Sequence, residues 1–210
     1  MSWPVDGRGR PMVHLIQLNF AELPPLDGFP TDGMLQVFCV GDAVDCYGLT
    51  FDGERQGIDG IALRWWSAAD LRRPALAVPS APTPFGGAPG DTPLESLEPV
   101  ALAFHSAASL PGFWDACAGA SERYEDVVAD DRESKVLLPS GCHVGGYPYF
   151  AQADPRPQHP DRATTLIVQL DSDQDGLFNW GDAGSAQIFG DPAELAAGRL
   201  DSLWWDWACG

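Results

Sequence analysis

A strand pattern that occurs twice constrains this chain more than any other feature. Val13-His14-Leu15-Ile16-Gln17-Leu18-Asn19 and Thr165-Leu166-Ile167-Val168-Gln169-Leu170-Asp171 are short apolar runs rich in β-formers. Each has Gln two places before a terminal Asn or Asp. A polar, turn-rich stretch follows each, and then a second run: Gly33-Met34-Leu35-Gln36-Val37-Phe38 after the first, Gly184-Ser185-Ala186-Gln187-Ile188-Phe189 after the other. Gln17 lies 19 residues before Gln36, Gln169 lies 18 before Gln187, and Gly-Asp follows shortly in both places. Two matches in order, at nearly equal spacing, predict an internally duplicated pair of strands.

Side chains alternate faces along a strand. Ile16, Leu18 and Phe20 are therefore expected on one face, as are Leu166, Val168 and Leu170. Gln17 with Asn19, and Gln169 with Asp171, fall on the other face beside further apolar residues. Strands apolar on both sides are usually covered on both sides, so each Gln is expected to be buried and hydrogen-bonded. A structural polar network between the two copies is the predicted role.

Between the copies, Tyr47-Gly48-Leu49-Thr50-Phe51 and Ile61-Ala62-Leu63-Arg64-Trp65-Trp66 read as strands joined by a Gly- and Asp-rich loop. Residues 74–100 hold seven prolines and three glycines, a composition that predicts a long irregular connector. Pro99 to Phe104 then reads as another strand. Helices are few. Ser121 caps one candidate with Tyr124, Val127 and Val128 on one face, and Asp191-Pro192-Ala193-Glu194 opens another that Gly198 stops. Trp204, Trp205 and Trp207 are too costly to leave in water, so the C-terminal tail is expected to dock on the body, with an oligomer contact as the alternative. The expected fold is mainly β (a β-rich α+β class), built of internally duplicated antiparallel-sheet units with a few short helices. It forms one domain over 1–210, with halves at about 1–73 and 99–210 around a Pro/Gly-rich connector at 74–98.

A chain of 210 residues buries roughly 70% of the surface its unfolded form exposes and needs no cross-links to fold. No apolar run approaches the roughly 18 residues of a membrane-spanning helix. Trp3, Pro4 and Asp6 interrupt the place where a signal peptide would be apolar. Cys39, Cys46, Cys117, Cys142 and Cys209 are scattered, odd in number and without a C-x-x-C pair. They read as reduced, hydrophobe-like thiols of a cytoplasmic protein. Thirty acids against twelve bases leave a net charge of −18, with Lys135 the single lysine. That charge repels phosphate backbones and argues against nucleic-acid binding. It favours solubility and speeds encounter with a basic partner.

Three stretches together resemble the YwqG-like family of bacterial proteins. They are His143-Val144-Gly145-Gly146-Tyr147-Pro148 with Gln152 and Asp154-Pro155-Arg156; Gln169-Leu170-Asp171-Ser172-Asp173 with Trp180-Gly181-Asp182-Ala183-Gly184; and Gln17-Leu18-Asn19 with Leu35-Gln36-Val37-Phe38 and Tyr47-Gly48. The resemblance covers most of the chain. It implies a mainly β architecture with an internal duplication, and it supplies no catalytic residues. Similar proteins carry a leading segment with its own Gly-Gly-x-Pro element before the first Gln strand. Twelve residues precede Val13 here, so the first copy is expected to expose a strand edge, a pairing hazard and a candidate dimer contact, with monomer and homodimer both left open.

The strongest chemical pattern is Asp171-Ser172-Asp173-Gln174-Asp175-Gly176, with Asn179 and Asp182 beyond it. Counted from Asp171, acids fall at positions 1, 3 and 5, Gly at 6, Asn at 9 and Asp at 12, the spacing of an EF-hand calcium loop. The flanks are strands where an EF-hand has helices, and position 12 holds Asp where Glu is usual. The competing reading is an acidic turn whose Asp side chains cap their own backbone. Asp171, Asp173, Asp175, Asn179 and Asp182 are thus a candidate calcium site, calcium being the one cofactor the pattern admits. Cys142-His143 is the only hint of a nucleophile, but working Cys–His pairs meet through the fold and seldom along the chain. The glycines around it allow tight turns, and no His spacing suggests a metal cluster. No catalytic residue is assigned. The function expected is a non-catalytic protein-binding module, possible as an immunity-type neutraliser of a basic toxin. The alternative is a calcium-binding protein or a hydrolase-type enzyme using Asp171 to Asp182.

Overall fold

The computed structural model describes residues 2–41, 47, 60–73, 92–95, 98–112, 115–116, 136–137, 139–172 and 176–210. The predicted helix after Ser121, most of the strand predicted at Tyr47 to Phe51 and most of the connector lie outside these residues. Two compact units are present. The first comprises Met1–Leu102 and Pro192–Asp201, the second Ala103–Asp191 and Ser202–Gly210.

In the first unit, β1 (Val13–Asn19), β2 (Met34–Cys39) and β3 (Ile61–Trp66) form an antiparallel sheet in the order β1-β2-β3. A short helix, α1 (Ala68–Leu71), follows β3. Its capping box is complete: the Ser67 hydroxyl accepts from the Asp70 N–H, and the Asp70 carboxylate accepts from the Ser67 N–H. The second unit contains a parallel pair, β4 (Ala108–Ser109) with β5 (Val136–Leu137). Its main sheet is antiparallel, ordered β6 (His143–Val144), β7 (Thr165–Asp171), β8 (Ser185–Gly190) and β9 (Trp204–Ala208). The helix α2 (Pro192–Ala196), which follows β8 in the chain and belongs to the first unit, ends at Gly198, whose φ of +74° supplies the left-handed stop read from the sequence. The fold is β-rich, mostly strands in two antiparallel sheets with two short helices among the described residues.

The two sheets share one register. Gln17 pairs with Gln36 as Gln169 pairs with Gln187, and Leu18 with Leu35 as Leu170 with Ala186. Each first strand slips by one residue at the same place, between His14 and Ile16 and between Leu166 and Val168. The third strands continue the match: Gln36 faces Arg64, and Gln187 faces Asp206. The glycine ahead of each second strand is required for space. A Cβ on Gly33 would collide with the Trp65 ring, and one on Gly184 with the carbonyls of Trp180 and Ala208.

The slip corrects one expectation. An extra residue in one strand turns everything before it to the other face, so Leu166 leaves the face of Val168 and Leu170. It joins the side of Gln169, where it packs with Phe150, Phe189 and Trp204. A second correction concerns Pro99 to Phe104, which is not a strand. The stretch runs without a ladder partner, with Val100 58% and Leu102 40% exposed.

Both sheets bury their Gln-free face. Leu18, Leu35, Val37 and Cys39 are buried in the first, and Val168, Leu170 and Ile188 in the second. The C-terminal tryptophans dock within the second unit. Trp205 and Trp207 lie 6.0 and 5.8 Å from Trp180 between ring centroids, and Trp180 is fully buried. Aromatics of this size dominate the burial energy of a small sheet.

Candidate functional site

On the other face of the second sheet, the register aligns four polar residues across four strands: His143, Gln169, Gln187 and Asp206. A polar row inside a sheet stands only if its groups are satisfied, and here the stretch from Pro139 to Tyr149 satisfies most of them. Gln169 Nε2 donates to the carbonyls of Pro139 (2.7 Å) and Gly141 (2.9 Å), and its Oε1 accepts from the Tyr149 N–H (2.7 Å). Gln187 Nε2 donates to the Tyr149 carbonyl and to Ser185 Oγ, both at 2.6 Å. The His143 ring has a backbone carbonyl at each nitrogen, Gly141 O at 3.0 Å and Tyr147 O at 3.1 Å. Burial pushes its pKa down, against the pull of these carbonyls and of Asp171. Asp206 ends the row. Burial, and then the negative charge of Asp154, push its carboxyl up to about 6.

Beside the row lies a buried ionic cluster. Arg156 Nε donates to both Asp154 oxygens (2.9 and 3.2 Å), and its Nη2 reaches Asp154 Oδ2 (2.8 Å) and Asp115 Oδ1 (2.5 Å). The guanidinium sits 5.2 Å from the Phe150 ring centroid and 5.5 Å from that of Phe189. A planar fork between aromatic faces and carboxylates uses properties that lysine lacks. Asp154 also accepts from the Ala116 N–H at 3.0 Å, so the cluster ties separate chain segments together.

The predicted calcium residues divide. Asp171, buried at the end of β7, accepts from the Gly141 N–H at 2.6 Å through Oδ2. Asn179 Oδ1 accepts from the Gly181 N–H at 3.0 Å, the self-capping behaviour of an acidic turn. The Asp182 side chain is exposed while its carbonyl accepts from the Gly210 N–H at 2.8 Å. Asp173 and Asp175 lie outside the described residues. No three His, Cys, Asp or Glu are grouped to hold a metal among the described residues. Among the described residues, Cys39, Cys142 and Cys209 form no disulfide. The Cys142 sulfur accepts from the Asp171 N–H at 3.3 Å, and with carbonyls at both nitrogens His143 is engaged away from it.

In the first unit the equivalent row is Gln17, Gln36 and Arg64. Gln36 Nε2 donates to Gln17 Oε1 (3.2 Å), and Trp66 Nε1 donates to Gln36 Oε1 (2.8 Å). Arg64 donates to the Ser2 carbonyl and lies 5.5 Å from the Phe38 ring centroid. Gln17 is exposed, contrary to the expectation that every Gln of the pattern is buried. Among the described residues, the side-chain bonds of each Gln pair lie within its own unit. Asp6 adds a local pair: its carboxylate accepts from the N–H groups of Arg8 (2.9 Å) and Arg10 (2.8 Å) and from Arg10 Nε (2.6 Å). These bonds hold its pKa below the usual carboxylate range despite burial. Sequence reasoning quoted Arg156 only as part of the family resemblance and gave no role to it, to Asp115 or to Asp206. The local Asp154-Pro155-Arg156 spacing was a usable signal for the first; nothing local marks the other two.

Fold and site together define a β-rich protein of two register-matched sheet units, each with a polar Gln row across it. The chain belongs to the family of the domain of unknown function DUF1963, whose model matches residues 1–209. No curated protein matches it. No helix among the described residues is long and apolar enough to cross a membrane.

Proposed function

We propose that this protein is a YwqG-like, cytoplasmic, non-catalytic binding module that engages a basic protein, in the manner of an immunity protein neutralising a basic toxin. The observation that carries this reading is the exposed Gln17 of the first unit. Its counterpart Gln169 is covered by the protein's own backbone, so the same construction in the first unit offers hydrogen-bonding groups to another molecule. The matched registers support descent of the two units from one duplicated element. Charge supports the sign of the partner, since 30 acids against 12 bases attract basic surfaces and accelerate their approach. The test is titration of the full chain with folded proteins of similar size and graded net charge. A basic partner is expected to bind saturably, one to one, with an association rate that falls as salt rises from about 50 to about 500 mM. Binding indifferent to the partner's charge would sink the reading.

A second reading, calcium binding or hydrolase-type chemistry at Asp171 to Asp182, draws support from Gly176, whose φ of +70° suits the sharp turn at position 6 of a calcium loop. Thermal melting with and without millimolar calcium separates the two. A rise in the midpoint favours calcium, and an unchanged midpoint removes it.

A further inference from the structure

We infer that the outer edge of β1 is a strand-addition site for an extended segment of a basic protein, with the Gln17–Gln36 pair binding that segment's backbone. The inference rests on the binding-module reading above and specifies how the partner is held.

The second unit contains the same construction already filled. There β6 pairs antiparallel with the outer edge of β7, His143 opposite Gln169 and Val144 opposite Val168. The Gly145 N–H donates to the Ile167 carbonyl at 3.1 Å, at the slipped residue itself. Beyond the edge, the covering stretch brings two carbonyls to the Gln169 amide nitrogen and one N–H to its oxygen. Strand edge and glutamine together hold a length of extended and turning chain through its backbone, with little demand on its side chains.

β1 matches β7 in register through the same slip, so Leu15, Ile16 and Gln17 take the places of Ile167, Val168 and Gln169. β1 ends its sheet, and no strand pairs with its far side among the described residues. Gln17 Oε1 accepts from Gln36, but its amide N–H groups meet no acceptor among the described residues, where those of Gln169 meet two. An edge with its N–H and C=O groups unpaired is a template for an added strand, and an exposed amide on that strand can donate to backbone carbonyls.

Charge identifies the occupant. Residues 11–41 contain Glu22, Asp27 and Asp32 and neither Lys nor Arg. Glu22, Asp27 and Asp32 are exposed in the stretch that leaves β1. An extended segment with Lys or Arg at alternate positions satisfies the edge with its backbone and this acidic field with its side chains. A second copy of the chain, itself at −18, would set like charges together.

The test uses the full chain and a synthetic peptide copying residues 139–149, the stretch that covers Gln169. In one version Ser140→Lys and Cys142→Lys, both exposed positions, make it basic; the other keeps the natural sequence. Hydrogen exchange of β1 amides is expected to be fast at the outward-facing positions of the free protein. The lysine peptide should slow it and bind about tenfold more tightly than the natural one at low salt, a margin that closes near 0.5 M salt. Gln17→Ala, and independently Gln36→Ala, should weaken binding about tenfold with the melting midpoint nearly unchanged. Slow exchange at the β1 edge of the free protein overturns the inference, as does absence of protection at millimolar peptide. So does a dimer in sedimentation whose contact is β1. If a basic folded protein binds wild type and Gln17→Ala equally well, the edge site falls and the binding-module reading stands. If the peptide protects β1 while no basic protein binds, the edge stands and the broader reading falls.

Discussion

Gln17 and Gln169 occupy the same register position in matched sheets, two residues past the slip, yet one faces solvent and the other is fully buried. Their strands differ little in pattern. What differs is the chain above them: Pro139 to Tyr149 crosses the Gln169 row and bonds it with backbone groups. Strand order and register come from residues within the strands, whereas burial of a polar row depends on a segment distant in sequence. The same side chain is structural glue in one unit and an open hydrogen-bonding surface in the other.

The comparison breaks most visibly where the covering of the second unit is anchored. Arg156→Ala leaves Asp115 and Asp154 buried, 3% and 6% exposed, without their shared cation. Stranding buried charge costs about 3–5 kcal/mol. Urea denaturation should show that loss, whereas Arg156→Met together with neutralised partners should recover much of it. An Arg156→Ala variant of near wild-type stability would mean that the cluster does not hold the covering in place. Next in size is Gln169→Ala, which deprives two carbonyls and one N–H of their partner. Unsatisfied buried groups cost about 1–3 kcal/mol apiece, and partial relaxation brings the expected total to about 2–3 kcal/mol.

The far end of the covered row carries a pH signature. Asp206 has its native pKa raised to about 6, so the folded state holds the proton more tightly than the unfolded chain does. Its favourable contribution is complete below the unfolded value near 4 and falls as pH rises toward 6, remaining a penalty above that. A shift of this size is worth at most about 3 kcal/mol, and partial exposure reduces it to about 1–2 kcal/mol. Asp206→Asn is therefore expected to stabilise the protein by about 1–2 kcal/mol at pH 7.5, with the difference shrinking toward pH 4. Chemical denaturation at both values checks the sign, and a variant less stable at pH 7.5 contradicts it.

Much of the architecture was legible in the residues. The Gln spacing, the glycines before β2 and β8, and the Pro192 and Gly198 punctuation of α2 are local signals, and local sterics enforce them. The slip at Leu15 and Ile167 was not legible, because nothing about two β-branched or leucine-type residues announces an extra residue in a ladder. Missing it placed Leu166 on the wrong face. Pro99 to Phe104 misled for the opposite reason. Its composition suits a strand, but a strand also needs a neighbour. The site was legible only in part. Asp171 could be picked out for its spacing, but its engagement by the Gly141 N–H depends on chain packing that no periodicity encodes. Asp115 and Asp206 matter through partners far along the chain, Arg156 and Asp154, and such pairings leave no mark on either residue's neighbours.

The smallest expected effect is also the sharpest test of the contrast. Gln17→Ala removes one exposed amide whose only side-chain bond among the described residues is the 3.2 Å contact from Gln36. Water can take that place, so the stability change should stay within about 0.5 kcal/mol, several-fold below that of Gln169→Ala. The two substitutions are chemically identical and register-matched, so the ratio of their effects measures the covering alone. If both cost the same, then either the β1 edge is covered in solution or the bonds around Gln169 contribute nothing net. Hydrogen exchange at Leu15 and Leu170 in the two variants distinguishes these: a covered β1 edge keeps Leu15 slow, and an inert Gln169 network leaves Leu170 protection unchanged on substitution.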